Sequence, residues 1–248
     1  MTLLFNLINK LQGKFYFYLS RAIYCSEERF LNKIYKIYIL NNRRTKKILQ
    51  TIIDSEKKQV KRERSLPSEE CFQQNGWWKM MFLRYGLAIF YSFNKTVLDT
   101  CSGLGWGAYM VDAVAKIIHC IELDRDSICF SKKTWPSKNA QYINGTVLHM
   151  PFKDSTFNVA LAMETIEHFN PKDQRQYLKE LYRVLKKRGL LLGSSSFPET
   201  AKLAKIISRK NPYHLHVCTE QEIEMLLIRT GFKKAKVFQN RLFFMAKK

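Results

Sequence analysis

Glycine is scarce in this chain, ten in 248 residues, yet three fall within five positions at Gly103, Gly105 and Gly107. They follow Val97-Leu98-Asp99-Thr100-Cys101-Ser102, an apolar strand-like run that carries an acid. Glycines between a strand and a helix let the backbone adopt positive φ and let a ligand approach it closely. The helix that follows opens with unpaired N–H groups, which favour an anionic group. A second apolar run, Ile117–Glu122, closes on another carboxylate. A carboxylate can accept hydrogen bonds from both hydroxyls of a ribose. The carboxyl end of a strand beside the first is where such a sugar sits in an open parallel sheet. The chemistry expected of this group is therefore nucleotide-like cofactor binding. Its GxGxG spacing departs from the dinucleotide fingerprint GxGxxG, whose third glycine comes one residue later.

A second group lies after the run Phe157–Met163. His168 is the candidate base, because an imidazole titrates near about 6.5 in water and can take a proton from a hydroxyl. Glu164, Glu167 and His168 stand at i, i+3 and i+4, a spacing that places them on one helical face. Carboxylates and an imidazole can chelate a divalent ion. The plainer reading has Glu164 ordering the loop and Glu167 solvated, and no metal site is expected. His214 and His216 flank Leu215 further on.

The elements that must position these residues are legible from about Val97 onward. Strand-like runs at Thr96–Asp99, Ile117–Glu122, Gln141–Asn144, Phe157–Met163 and Leu190–Ser194 alternate with helical stretches from about Ala108, near Ser127–Thr134 and over Pro171–Lys187. Gly189 is expected to end the last of these at a left-handed C′ position. Thr219 and Glu222 have capping-box spacing, and Gly231 closes the helix they start. Lys236–Phe238 and Leu242–Ala246 read as a closing hairpin around Asn240. This alternation predicts an α/β fold, a doubly wound and mostly parallel sheet of about seven strands.

Residues 1–66 form a separate, basic and mainly helical extension to the domain at 67–248. They carry 15 Lys+Arg against five Asp+Glu, close to half of the net +21 in about a quarter of the length. Such charge points towards RNA or an anionic membrane surface as partners. The six cysteines show no CxxC pair, which fits a reducing compartment and excludes a zinc ribbon or redox motif. The expected location is the cytoplasm, or the periphery of a membrane. Oligomeric state is not encoded in any pattern here.

Taken in order, these blocks resemble the class I S-adenosylmethionine-dependent methyltransferases, and within them the type 11 group. The likeness runs from about Arg84 to Phe232. Arg84-Tyr85 is similar to a pair in members that modify sugars and lipid-linked glycans. Val97–Gly107 is similar to the cofactor loop, Glu122 to the ribose acid, and Met150–Phe157 to a Leu-Pro-Phe-x-Asp-x-x-Phe block. Glu164–His168 resembles Glu-x-x-Glu-His, Arg183–Gly189 a helix-to-strand turn, and Asn211–His214 an acceptor loop. The resemblance implies an S-adenosylmethionine site formed by Arg84, Asp99, Ser102, Gly103, Gly105, Trp106, Glu122, Leu123, Val147 and Met163. It implies His168 as catalytic base, Glu164 and His214 beside the acceptor, and a small-molecule or glycan-type hydroxyl as that acceptor. RNA methylation, and a non-catalytic binding module on the same fold, are the alternatives. The chain departs from the family at Cys101, where a glycine is usual, at Asn158, where Asp is usual, and after Gly145, where an adenine-binding acid is usual.

Overall fold

The computed structural model describes residues 76–238 and 243–248. The basic extension and its boundary at 67 lie outside the described residues, as does the hairpin tip around Asn240. Helix α1 (Gly76–Ser92) leads into β1 (Thr96–Thr100), α2 (Trp106–Asp112), β2 (Ile117–Glu122), α3 (Arg125–Thr134), β3 (Ala140–Asn144) and β4 (Phe157–Met163). A 3-10 turn (Ile166–His168), α4 (Pro171–Val184), β5 (Leu185–Ser194), α5 (Ala201–Lys210), α6 (Glu220–Thr230), β6 (Lys233–Phe238) and β7 (Phe243–Lys247) complete it. The seven strands are ordered β3-β2-β1-β4-β5-β7-β6. Parallel pairing runs from β3 through β5, and β7 is antiparallel to both its neighbours. Strand order reverses between β1 and β4, the crevice where ligands bind in such sheets.

The strands are covered on both faces, so they read as continuous apolar runs. On one face Val97, Ile118, Val159 and Leu161 pack with Trp106, Ala108 and Val111. On the other, Leu98, Ile121, Ala160 and Leu191 meet Tyr177, Leu178 and Leu181 of α4 and Ile223 and Leu227 of α6. Each such side chain contributes about 1.5–3 kcal/mol when fully buried. Among the described residues, no helix is long and apolar enough to cross a membrane.

Helix ends follow local chemistry. Asn170 caps α4 by accepting from the N–H groups of Lys172 (2.9 Å) and Asp173 (3.0 Å), and Pro171 starts the helix. Thr219 and Glu222 form the expected capping box, and Gly231 closes α6 at φ 109°. The end of α4 differs from expectation. The helix stops at Val184, and Leu185 already pairs with Phe157 as the start of β5. The left-handed residue is Arg188 (φ 64°), not Gly189. The physical reason is a remote cap: Lys248 Nζ donates to the carbonyls of Tyr182 (2.7 Å) and Leu185 (2.8 Å). These are the groups a glycine cap would otherwise have helped to satisfy.

Candidate cofactor and acceptor site

The turn from β1 to α2 is shaped from its sides. Gly103 (φ 53°) and Gly105 (φ 75°) both adopt left-handed backbone. A side chain at Gly105 would lie 2.6 Å from Ser131 Oγ, so packing as well as φ requires glycine there. The third glycine serves differently. A Cβ on Gly107 would sit 2.1 Å from the Tyr85 ring, so this glycine admits an aromatic side chain from α1. Glu122 braces the turn: Oε2 accepts from Gly103 N–H (2.9 Å) and Oε1 from Asp124 N–H (3.0 Å). Trp135 Nε1 donates to Leu104 O at 2.7 Å from the far side.

Cys101 stands in the same turn at φ 51°. Left-handed backbone costs a side chain about 1–2 kcal/mol, while glycine loses about 0.5–1 kcal/mol of extra entropy on folding. Cys101→Gly is therefore expected to raise stability by up to about 1 kcal/mol, read as a higher urea midpoint with an unchanged slope.

The buried polar groups of this turn suit a cationic ligand. Both carboxylate oxygens of Asp99 are buried without a hydrogen-bond partner among the described residues, and so is Ser102 Oγ. Nothing lies within 4 Å of the position a Cβ on Gly103 would take, which leaves room against its backbone. Burial, and next the charge of Glu122, push the Asp99 carboxyl up to about 8. It then keeps its proton at neutral pH until a cation arrives. An ammonium-bearing ligand favours the carboxylate, so binding between about pH 5 and 8 should release a proton. Calorimetry of S-adenosylhomocysteine binding in buffers of different ionisation enthalpy is expected to show that release, and Asp99→Asn to abolish it. Without ligand the sign is opposite to that of a paired carboxylate. This group's contribution to stability falls as pH rises from the ordinary carboxyl range, about 3.9, towards 8.

Across the crevice, Arg84 Nη1 donates to Glu164 Oε1 at 2.5 Å, and both side chains are largely enclosed. Glu164 has φ 47°, and its N–H bonds Ser194 O at 3.0 Å. The helical face expected to group Glu164, Glu167 and His168 does not form, because only Ile166–His168 is helical and it is a 3-10 turn. Arg84 draws Glu164 to one side instead. Glu167 and His168 come together with His214, and one donor atom from each lies within 4.8 Å of the others. Two imidazoles and a carboxylate are a set that could accept a borderline divalent cation. Burial, then the nearby Glu164 charge, raises the Glu167 carboxyl well above its ordinary range.

His168 is held by backbone from a distant segment. Its Nδ1 lies 3.1 Å from Tyr213 O. A carbonyl only accepts, so Nδ1 carries the hydrogen of that contact. His216 N–H donates to Glu167 O (3.2 Å), and Gln174 Nε2 bridges Ile166 O (2.9 Å) and His216 O (2.8 Å). The His168 and His214 rings stand edge to face at 5.2 Å. Gln174 and the Tyr213 carbonyl were not foreseen from sequence. A carbonyl has no sequence signature, though a glutamine on the buried stripe of α4 is a readable anomaly.

The remaining expected cofactor residues divide by position. Trp106, Val147 and Met163 are buried core side chains, Trp106 edge-on to Tyr85 at 5.0 Å. Leu123, after the ribose acid, is 72% exposed. After Gly145, Thr146 Oγ1 accepts from Leu148 N–H (3.2 Å) and closes that turn. Asn158 Oδ1 accepts from Thr96 N–H (3.2 Å), a task an aspartate would also perform.

Residues 98–193 match the model of the methyltransferase domain family of type 11. A Mycobacterium tuberculosis protein named "Probable S-adenosylmethionine-dependent methyltransferase" is 25% identical over 170 residues, 68% of this chain and 60% of the relative. A Mycolicibacterium smegmatis protein with the same description is 25% identical over 171 residues, 69% of this chain and 64% of its own length. The chain thus spans less than two thirds of the relatives it matches. In fold it is similar to a SAM-dependent methyltransferase from Archaeoglobus fulgidus, with TM-score 0.57, 16% identity, and 73% and 97% of the two chains covered. It is also similar to the [4+2]-cyclase SpnF, with TM-score 0.55, 19% identity, and coverage of 66% and 64%. Residues 98–193 thus match a methyltransferase domain of type 11, and the chain is similar to S-adenosylmethionine-dependent methyltransferases in sequence and in fold.

Proposed function

We propose that this protein methylates a hydroxyl of a small-molecule or glycan-type acceptor, with His168 as the base. When bound, S-adenosylmethionine supplies an electrophilic methyl group on its sulfonium sulfur. Asp99 and Ser102 would hold its polar end, and Glu122 its ribose. The chain's own task on the other side is to align a hydroxyl and take its proton. The observation that carries the reading is the Nδ1–H of His168 bonded to Tyr213 O, which holds the ring in place and assigns the accepting role of a neutral ring to Nε2. His168 Nε2 would take the proton of the acceptor hydroxyl as the methyl group passes from the cosubstrate's sulfur to that oxygen. A positioned base typically accounts for about 10²–10⁴-fold in rate, and alignment of the reacting atoms supplies more. The half-buried His214 ring, edge-on to His168, lies where it can flank such an acceptor.

The test uses the full chain with methyl-tritiated S-adenosylmethionine and three separate pools: free glycans, small hydroxylated metabolites, and total RNA. Label is expected in one of the first two. His168→Ala is expected to lower kcat by about 100-fold while S-adenosylhomocysteine affinity stays within about twofold. Label found only in RNA overturns the acceptor class. An unchanged rate in the variant overturns the base. A folded protein that binds S-adenosylhomocysteine and labels no pool favours a binding module, of which a cyclase on the same fold is a reminder.

A further inference from the structure

Helix α5 packs in the reverse of the usual sense. A helix on a globular surface normally buries its large aliphatics and exposes its small and charged residues. In α5 (Ala201–Lys210) Ala204 is the buried residue, and Ser208 faces the protein, accepting from Val217 N–H at 3.1 Å. Leu203 and Ile206, one turn apart, are 45% and 42% exposed. The segment that follows continues the pattern, with Tyr213 at 53% and Leu215 at 60%. Around these apolar side chains the helix carries Lys202, Lys205, Arg209 and Lys210 and no acid.

Charge selects the occupant of this face. The extension at residues 1–66 is itself strongly basic, so its charge is not complementary to four cations. A second copy would bring the same net +21. RNA would satisfy the cations, but single strands are held by stacking on aromatic rings, and this patch is mainly aliphatic. Basic side chains around an aliphatic ridge suit a surface that is anionic outside and apolar beneath.

We propose that α5 and the segment to Leu215 dock this protein on an anionic lipid surface, with Leu203, Ile206, Tyr213 and Leu215 entering the headgroup region between the basic side chains. The same segment supplies His214 and the Tyr213 carbonyl that orients His168. Docking therefore brings the membrane plane to the acceptor side of the crevice. Delivery of an acceptor from that surface rests on the methyl-transfer reading, whereas docking itself does not.

The test is flotation of the full chain with phosphatidylcholine vesicles, with and without about 30% phosphatidylglycerol. Binding is expected to the anionic vesicles, at least about tenfold tighter than to neutral ones, and to weaken with salt. Lys205→Glu/Arg209→Glu and, separately, Leu203→Ser/Ile206→Ser are each expected to lower it at least about tenfold. These side chains are exposed, so the fold should survive, and an unchanged S-adenosylhomocysteine affinity verifies that it does. No binding to anionic vesicles overturns the proposal. So does undiminished binding by both variants, which would place the contact elsewhere in the chain. Loss of poly(U) binding with vesicle binding intact overturns it in favour of RNA. Vesicle binding that falls in the variants, in a protein that never binds S-adenosylhomocysteine, supports docking and refutes the catalytic reading alone.

Discussion

Glu122→Ala is expected to weaken S-adenosylhomocysteine binding by at least about 100-fold. The carboxylate does two tasks that alanine cannot. It accepts from the N–H groups of Gly103 and Asp124, which fixes the turn before any ligand arrives. On the proposed reading it would also present acceptor lone pairs to a ribose diol. Hydrogen bonds to a charged group are worth about 1.5–3 kcal/mol each, and an abandoned buried donor costs about 1–3 kcal/mol. Two such losses exceed the 2.7 kcal/mol or so that correspond to 100-fold. Glu122→Gln keeps one carbonyl oxygen and should lose roughly tenfold. Calorimetric titration of wild type and both variants is the measurement, with circular dichroism to verify folding. An affinity within threefold of wild type in the alanine variant would remove Glu122 from the site.

The second large effect falls on stability. Arg84→Leu should destabilise the domain by about 3 kcal/mol or more, because it strips an enclosed carboxylate of its partner. The cost is sharpened by the neighbourhood. Glu167 is buried near Glu164, and their mutual repulsion already contributes to the raised Glu167 carboxyl. Without the guanidinium, two carboxyl groups share a poorly solvated corner. The loss should therefore deepen as pH rises and the raised Glu167 carboxyl becomes harder to keep neutral. The double variant Arg84→Leu/Glu164→Leu should recover at least half of the loss. Urea denaturation at pH 6 and pH 8 tests both statements. A double variant less stable than Arg84→Leu would mean that Glu164 is held mainly by its backbone contact with Ser194.

What the sequence revealed of this fold depended on how local the causes are. The parallel strands were legible because burial on both faces leaves apolar runs such as Phe157–Met163, bounded by polar residues. The capping box at Thr219 and Glu222 is settled within four residues and was read correctly. The end of α4 was misplaced because its cap is Lys248, 64 residues beyond Val184, and no local pattern announces it. Helix α5 was overlooked for the opposite reason. Its aliphatics face outward, so they do not signal a core. The placement of Asp99, Gly103 and Glu122 around one turn was legible as a strand–turn–strand pattern. The roles of Gly107 and Glu164 were not, since each is decided by a residue from α1: the ring of Tyr85 in one case and the charge of Arg84 in the other. His168 was named from its residue type, but its tautomer follows from a carbonyl 45 residues away.

The sheet order carries a consequence for synthesis on the ribosome. Strand β7 sits between β5 and β6, so an interior position of the sheet is filled by a strand that follows both of its neighbours in sequence. Until residues 243–248 are in place, the Leu190–Ser194 part of β5 presents N–H and C=O groups with no partner on that side. An exposed edge of that kind invites pairing with another nascent chain. Late in translation, β6 also cannot join the sheet ahead of β7. The nascent domain then stays open to such pairing until residues 243–248 have joined the sheet, and a codon-level slowdown before them would lengthen that exposure.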